Sequence, residues 1–147
     1  MSNPEIDPTA TSQFSAISGS PETGELDARR IGMSEQDFAA VQALPPFSAL
    51  LLVQKGPNSG ARFLLDSEST IAGRHPKSDI FLDDVTVSRQ HCEFLRHEGN
   101  FYVRDHGSLN GTYVNRERID EMSLMTGDEV QIGKYRMTFH ASPNRTQ

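Results

Sequence analysis

Between residues 48 and 142 the chain is interrupted by turn-forming residues so often that only short strands fit between them. Gly56-Pro57-Asn58-Ser59-Gly60, Gly99-Asn100, Gly107, Asn110-Gly111, Gly127-Asp128 and Gly133-Lys134 supply residues that tolerate positive φ in tight turns. The apolar stretches left over, at 49–53, 62–65, 70–73, 80–82, 92–96, 101–104, 112–114, 129–132 and 135–139, read as strands. The last two form the clearest hairpin: Val130 and Ile132 alternate inward, Gly133-Lys134 turns, and Tyr135, Met137 and Phe139 alternate back. No helical period runs through this stretch. Nine or more short strands in about 95 residues predict an all-β sandwich whose edges carry the working loops.

With 147 residues and 35% hydrophobic content, the chain has enough material for one domain and a tail. No apolar run approaches the roughly 20 residues that cross a bilayer, and Met1-Ser2-Asn3-Pro4 has neither a basic nor an apolar leader region. A soluble, cytoplasmic protein with no membrane partner is expected. Its one cysteine, Cys92, has no disulfide partner and no CxxC companion for zinc, which suits a reducing compartment and a buried, inert thiol.

The formal charge of −6 is unevenly spread. Residues 1–47 hold seven acids and two bases, net −5; residues 48–147 hold 13 acids and 12 bases, net −1. A near-neutral domain with an acidic tail is a poor match for nucleic acid, so no nucleic-acid partner is expected. Residues 1–47 are expected to be a disordered regulatory tail, 48–142 the sandwich and 143–147 a disordered C-terminus. The first 32 residues are rich in Ser, Thr, Pro, Gly and acids and bear only scattered apolar residues, too few to offset chain entropy. Ser34-Glu35-Gln36-Asp37 resembles a capping box, and Phe38, Val41 and Leu44 follow at three-residue steps before Pro45-Pro46, which predicts a short helix at 34–44.

Three polar patches fall in turns of the strand-rich stretch: Gly73-Arg74, Ser88-Arg89-Gln90-His91, and Ser108-Leu109-Asn110-Gly111-Thr112. A guanidinium fork, a serine hydroxyl and an asparagine amide, delivered by three loops, suit one phosphate and the peptide that bears it. Competing readings exist for each. Arg74 could pair with Asp79 or Asp84, and Ser88 could simply cap its turn. His91, three residues after Ser88, invites a hydrolase with Asp83 or Asp84 as orienter, but there is no G-x-S-x-G elbow and the two groups are too close in sequence to align for proton transfer. His75, Asp79, Asp83, Asp84 and His91 match no metal spacing, and the 56–60 turn lacks the Gly-Lys-Ser/Thr ending of a nucleotide loop. Neither catalysis, metal nor cofactor is expected.

Taken together, Gly73-Arg74, Ser88-x-x-His91 and Asn110-Gly111 resemble the forkhead-associated (FHA) domain, a phosphothreonine-binding β-sandwich, over about residues 49–140. The resemblance implies that Arg74 and Ser88 bind the phosphate, that Arg89 adds a contact from the same loop, and that Ser108, Leu109 and Asn110 hold the peptide backbone. It places Thr86 and Val87 where such domains read the third residue after the phosphothreonine. Gly73, His91 and Gly111 become structural support.

The stretches from Gly73 to Arg89 and from Gly107 to Arg116, with Gly56-Pro57-Asn58 and residues 61–66, are more closely similar to the actinobacterial glycogen accumulation regulator and 2-oxoglutarate dehydrogenase inhibitor family. A monomer is expected, and that similarity implies that an N-terminal threonine is phosphorylated by a Ser/Thr protein kinase. The phosphorylated tail then closes onto its own domain. The open form inhibits the E1 component of 2-oxoglutarate dehydrogenase and so regulates glutamate metabolism. Where the family reads Glu-Thr-Thr-Ser-Val-Phe-Arg-Ala, this chain reads Thr9-Ala10-Thr11-Ser12-Gln13-Phe14-Ser15-Ala16, so Thr11 and Thr23 both stand as phosphorylation candidates. A flexible chain from either to Ser48 has a root-mean-square reach of roughly 28–33 Å, against a domain radius of gyration of about 13 Å, so reach does not choose between them. The competing function is a general kinase-signalling adaptor that binds phosphorylated partner proteins.

Overall fold

The structure, a computed structural model, describes residues 33–144. Thr11, Thr23, residues 1–32 of the tail expected to lack order and residues 145–147 lie outside the described residues. The chain divides into two units, 1–39 and 40–147. At the first division Ser34 Oγ accepts the Asp37 N–H at 3.1 Å, capping a helix α1, Glu35–Gln42, inside the span that the sequence predicts.

The second unit is a sandwich of eleven described strands. In chain order they are β1 Ala49–Lys55, β2 Arg62–Leu65, β3 Ser69–Gly73, β4 Ile80–Phe81, β5 Cys92–His97 and β6 Asn100–Asp105, then β7 Thr112–Val114, β8 Glu117–Ile119, β9 Glu121–Leu124, β10 Glu129–Ile132 and β11 Tyr135–Ala141. One sheet runs β9-β6-β5-β3-β4 and the other β2-β1-β11-β10-β7-β8. All neighbours are antiparallel except β3 and β4.

The nine expected strands are all present. The two additional ones, β8 and β9, have mostly exposed residues. They are edge strands with little to bury, so the alternation that marks a strand in sequence is absent.

Period two sets the core. Leu51, Val53, Val130, Ile132, Met137 and Phe139 from one sheet meet Ala72, Phe94, Phe101 and Val103 from the other, all buried. Phe101 and Phe139 meet between the sheets with ring centroids 5.5 Å apart. At one end the chain is pinned shut: Ser142 Oγ donates to Leu44 O at 3.0 Å and Asn144 Nδ2 to the same carbonyl at 2.8 Å. Asn144 thus joins this closure, while the rest of the C-terminus expected to be loose lies outside the described residues. The loops after β3, β4, β6 and β10 meet at the opposite edge of the sheets.

Candidate functional site

The loop after β3 begins with a close approach. A Cβ on Gly73 would strike the Arg89 carbonyl oxygen, so only glycine lets the two loops lie side by side. Main-chain bonds then zip them together: Arg74 N donates to Ser88 O at 2.9 Å, His75 N to Arg89 O at 3.2 Å, and His91 N to Ala72 O at 3.0 Å. Arg74 Nε donates to Val87 O at 3.0 Å, which fixes the guanidinium plane. Its two terminal nitrogens bond to no described residue. The carboxylates that could compete for it are engaged elsewhere: Asp79 accepts the Ile71 N–H at 2.9 Å, and Asp84 accepts the N–H and hydroxyl of Thr86. The Thr86 hydroxyl, followed by its N–H, holds the Asp84 carboxyl below the ordinary carboxylate range.

Ser88 joins the second loop to the third. Its Oγ accepts the Leu109 N–H at 3.0 Å, so the hydroxyl keeps its proton to donate. Asn110 Nδ2 donates to Thr86 O at 2.9 Å, the second tie between the same loops. Lys134 N, from the turn between β10 and β11, donates to Thr86 Oγ1 at 2.9 Å. Arg74, Ser88, Thr86 and Asn110 are thus brought together. Arg89 and Asn110 are exposed, Leu109 is 84% exposed, and Val87 is buried in the core.

Ser108 faces inward. It is buried, its Oγ donates to Asp105 Oδ1 at 2.5 Å, and the same oxygen accepts the Gly111 N–H at 3.0 Å. Its hydroxyl is spent on the shape of the loop.

Two groups hold this architecture from behind. His91 is fully buried; its Nδ1 accepts the Ser88 N–H at 3.1 Å and its Nε2 donates to Gly111 O at 2.9 Å, so one neutral ring ties both loops. Burial pushes the His91 pKa down, more than its bond to Gly111 and the Asp105 charge raise it. Asp105 was not singled out by sequence. Its carboxylate accepts the N–H groups of Gly107 (2.9 Å) and Ser108 (3.1 Å) and the hydroxyls of Ser108 and Thr112 (2.7 Å). Burial opposes its charge, but these bonds prevail and hold its pKa low. The readable signal was an Asp two residues before a glycine, the pattern of an Asx turn. Burial also pushes the Cys92 thiol far up, consistent with an inert core residue. Among the described residues no group of acids, histidines or cysteines is placed to hold a metal, and no helix is long and apolar enough to cross a membrane.

Comparison with known proteins agrees with this geometry. The FHA domain model matches residues 70–133. The chain is 51% identical over 148 residues to the glycogen accumulation regulator GarA of Mycobacterium tuberculosis, covering 97% of this chain and 91% of that one. It is 67% identical over 100 residues to the oxoglutarate dehydrogenase inhibitor of Corynebacterium efficiens, covering 68% and 70% of the two chains. A structure solved in a study of phosphothreonine-dependent FHA domain interactions superposes with a TM-score of 0.61 at 30% identity, over 66% of this chain and 99% of that one. The chain belongs to the FHA-domain family, a family of phosphothreonine-binding modules, in the company of these regulators and inhibitors.

Proposed function

We propose that the chain is a phosphothreonine-dependent regulator and not an enzyme. The Ser88 hydroxyl supports this most strongly: held by the Leu109 N–H beside a pinned Arg74, it keeps a proton for a phosphate oxygen. In this reading the Arg74 terminal nitrogens and Ser88 Oγ–H grip the phosphate, with Arg89 adding charge from the exposed side. The Leu109 backbone and Asn110 amide hold the peptide, and Ser108 acts through the loop. Thr86 marks the place where the third residue after the phosphothreonine lies, and Val87, buried beneath it, supports that loop from the core. Gly73, His91 and Gly111 keep the loops in register.

A Ser/Thr protein kinase phosphorylates Thr11 or Thr23, and the phosphorylated tail occupies this site within the same monomer. The open form binds and inhibits the E1 component of 2-oxoglutarate dehydrogenase in the cytoplasm. The similarity to the glycogen accumulation regulator and the oxoglutarate dehydrogenase inhibitor supports the target. Titrating E1 activity with the purified chain, before and after kinase treatment, tests both halves: the untreated chain inhibits and the treated chain does not. Equal inhibition by both would remove the switch, and no inhibition by either would remove the target.

A further inference from the structure

A basic face adjoins the site, and the phosphothreonine reading does not use it. The register of the six-stranded sheet places Arg118 opposite Tyr113, Tyr113 opposite Gln131, Gln131 opposite Arg136, and Arg136 opposite Lys55. Their neighbours along the strands, Thr112, Val114, Val130, Ile132, Tyr135 and Met137, are buried, so this row lies on the outer face. A groove of about 490 Å³ runs along it, lined by Thr86 and Asn110 of the site and by Arg116, Lys134 and Arg136.

Two contacts tie the groove to the loops. Lys134 N bonds to Thr86 Oγ1, and the Arg118 guanidinium packs on Gly111, where a Cβ would lie 2.7 Å from Nε. Arg116 holds φ +72 in the two-residue turn between β7 and β8, a conformation that glycine adopts at far less cost. Arg116 Nε lies 3.6 Å from Glu129 and Asp84 feels the charge of Lys134, while the guanidinium groups of Arg118 and Arg136 have no partner among the described residues. Lys55, Arg116, Arg118, Lys134 and Arg136 gather on or beside this row, with Glu129, Asp84, Asp83 and Glu117 as acidic neighbours, within a domain of net charge −1.

Arg118 and Arg136 are three strand spacings apart, about 14 Å, which an extended peptide covers in about four residues. We infer that this row is an anion-binding extension of the phosphothreonine site. It takes acidic side chains that follow the phosphothreonine by two to six positions, and within this chain it selects phosphorylated Thr23 over phosphorylated Thr11. The inference rests on the proposed direction of the peptide past Thr86. Glu25 and Asp27 follow Thr23 at two and four positions, whereas residues 12–17 after Thr11 contain no acid.

The test uses the full chain with an unphosphorylated tail and two 12-residue probes, 5–16 carrying phosphothreonine at 11 and 17–28 carrying it at 23. The probes bear two and three acids respectively, so they differ by one charge as well as by position, and the arginine variant below separates the two effects. Calorimetry at low salt is expected to show 17–28 binding about fivefold tighter, as two exposed ion pairs allow. That preference disappears in Arg118→Gln/Arg136→Gln, in a Glu25→Gln/Asp27→Asn probe, and at high salt. Binding of 5–16 is unchanged in the double variant, which also shows that it folds. Equal affinities in the wild type, or a preference that survives the double variant, would overturn the extension while leaving the phosphothreonine site intact. Failure of both probes to bind would overturn the site reading itself, and the extension with it.

Discussion

Ser88 is asked to do two things with one oxygen. It accepts the Leu109 N–H, which aligns the third loop, and in the proposed complex it donates its proton to phosphate. Ser88→Ala therefore removes a charge-assisted bond and a loop tie at once, whereas Arg74→Ala removes only the guanidinium and its bond to Val87 O. Each variant is expected to lose phosphothreonine-peptide binding by roughly 1.5–3 kcal/mol or more while keeping a folded circular-dichroism spectrum. Unchanged peptide affinity in both would relocate the site. His91 belongs to a different class of residue. His91→Ala deletes a fully buried ring and both of its hydrogen bonds, an expected cost of about 3 kcal/mol seen as a lower melting temperature. Its pH signature has a definite sign. The folded-state pKa is depressed, so between it and the ordinary value of about 6.5 the unfolded chain binds the extra proton. The His91 contribution is present above pH 6.5 and is lost as pH falls below it. Denaturant midpoints at pH 7.5, 6.0 and 5.0 are expected to fall less steeply in His91→Ala than in the wild type; parallel slopes would contradict the buried neutral ring.

At the scale of elements, the loop of residues 106–111 has no regular structure and is shaped by Asp105 at the end of β6. Four donors converge on that carboxylate, and removing it orphans the Ser108 and Thr112 hydroxyls and two backbone N–H groups. Asp105→Ala is expected to lower stability by about 2–3 kcal/mol and to weaken peptide binding through a loosened loop, read by hydrogen exchange at Leu109 and Gly111. Asp105 has a depressed pKa, so the stability it contributes is present above its unfolded value near 3.9 and is lost as pH falls through its folded value. Normal exchange in the variant would show that the loop is held by other means. The strands that face the core were readable because burial imposes alternation on them. β8 and β9 were not, since an edge strand with Glu117, Arg118, Glu121 and Met122 on its exposed positions leaves no period to read. Arg74, Ser88 and Asn110 were legible because their chemistry is written in residue type. The inward turn of Ser108 and the hub at Asp105 depend on which way a short loop folds, and local sequence does not specify that.

At the scale of the whole molecule, charge is separated in two ways. The first 47 residues carry net −5, while the domain gathers bases on the outer face of its six-stranded sheet. In the proposed switch, a phosphorylated tail on the same chain has an effective concentration near a millimolar by the usual behaviour of short flexible linkers. If the site binds a phosphothreonine peptide at about a micromolar, the closed form leads the open one by about a thousand to one. Loss of the phosphate removes the charge-assisted bonds and collapses that ratio, so the switch needs neither a lid nor a catalytic step. The most direct measurement is calorimetric titration of the full chain with an external phosphothreonine peptide, before and after kinase treatment of the tail. The untreated chain should bind it at about a micromolar and the treated chain about a thousandfold more weakly, with untreated Ser88→Ala weakened by about tenfold to a hundredfold or more. Equal affinity before and after stoichiometric tail phosphorylation would contradict a regulator that occupies its own site.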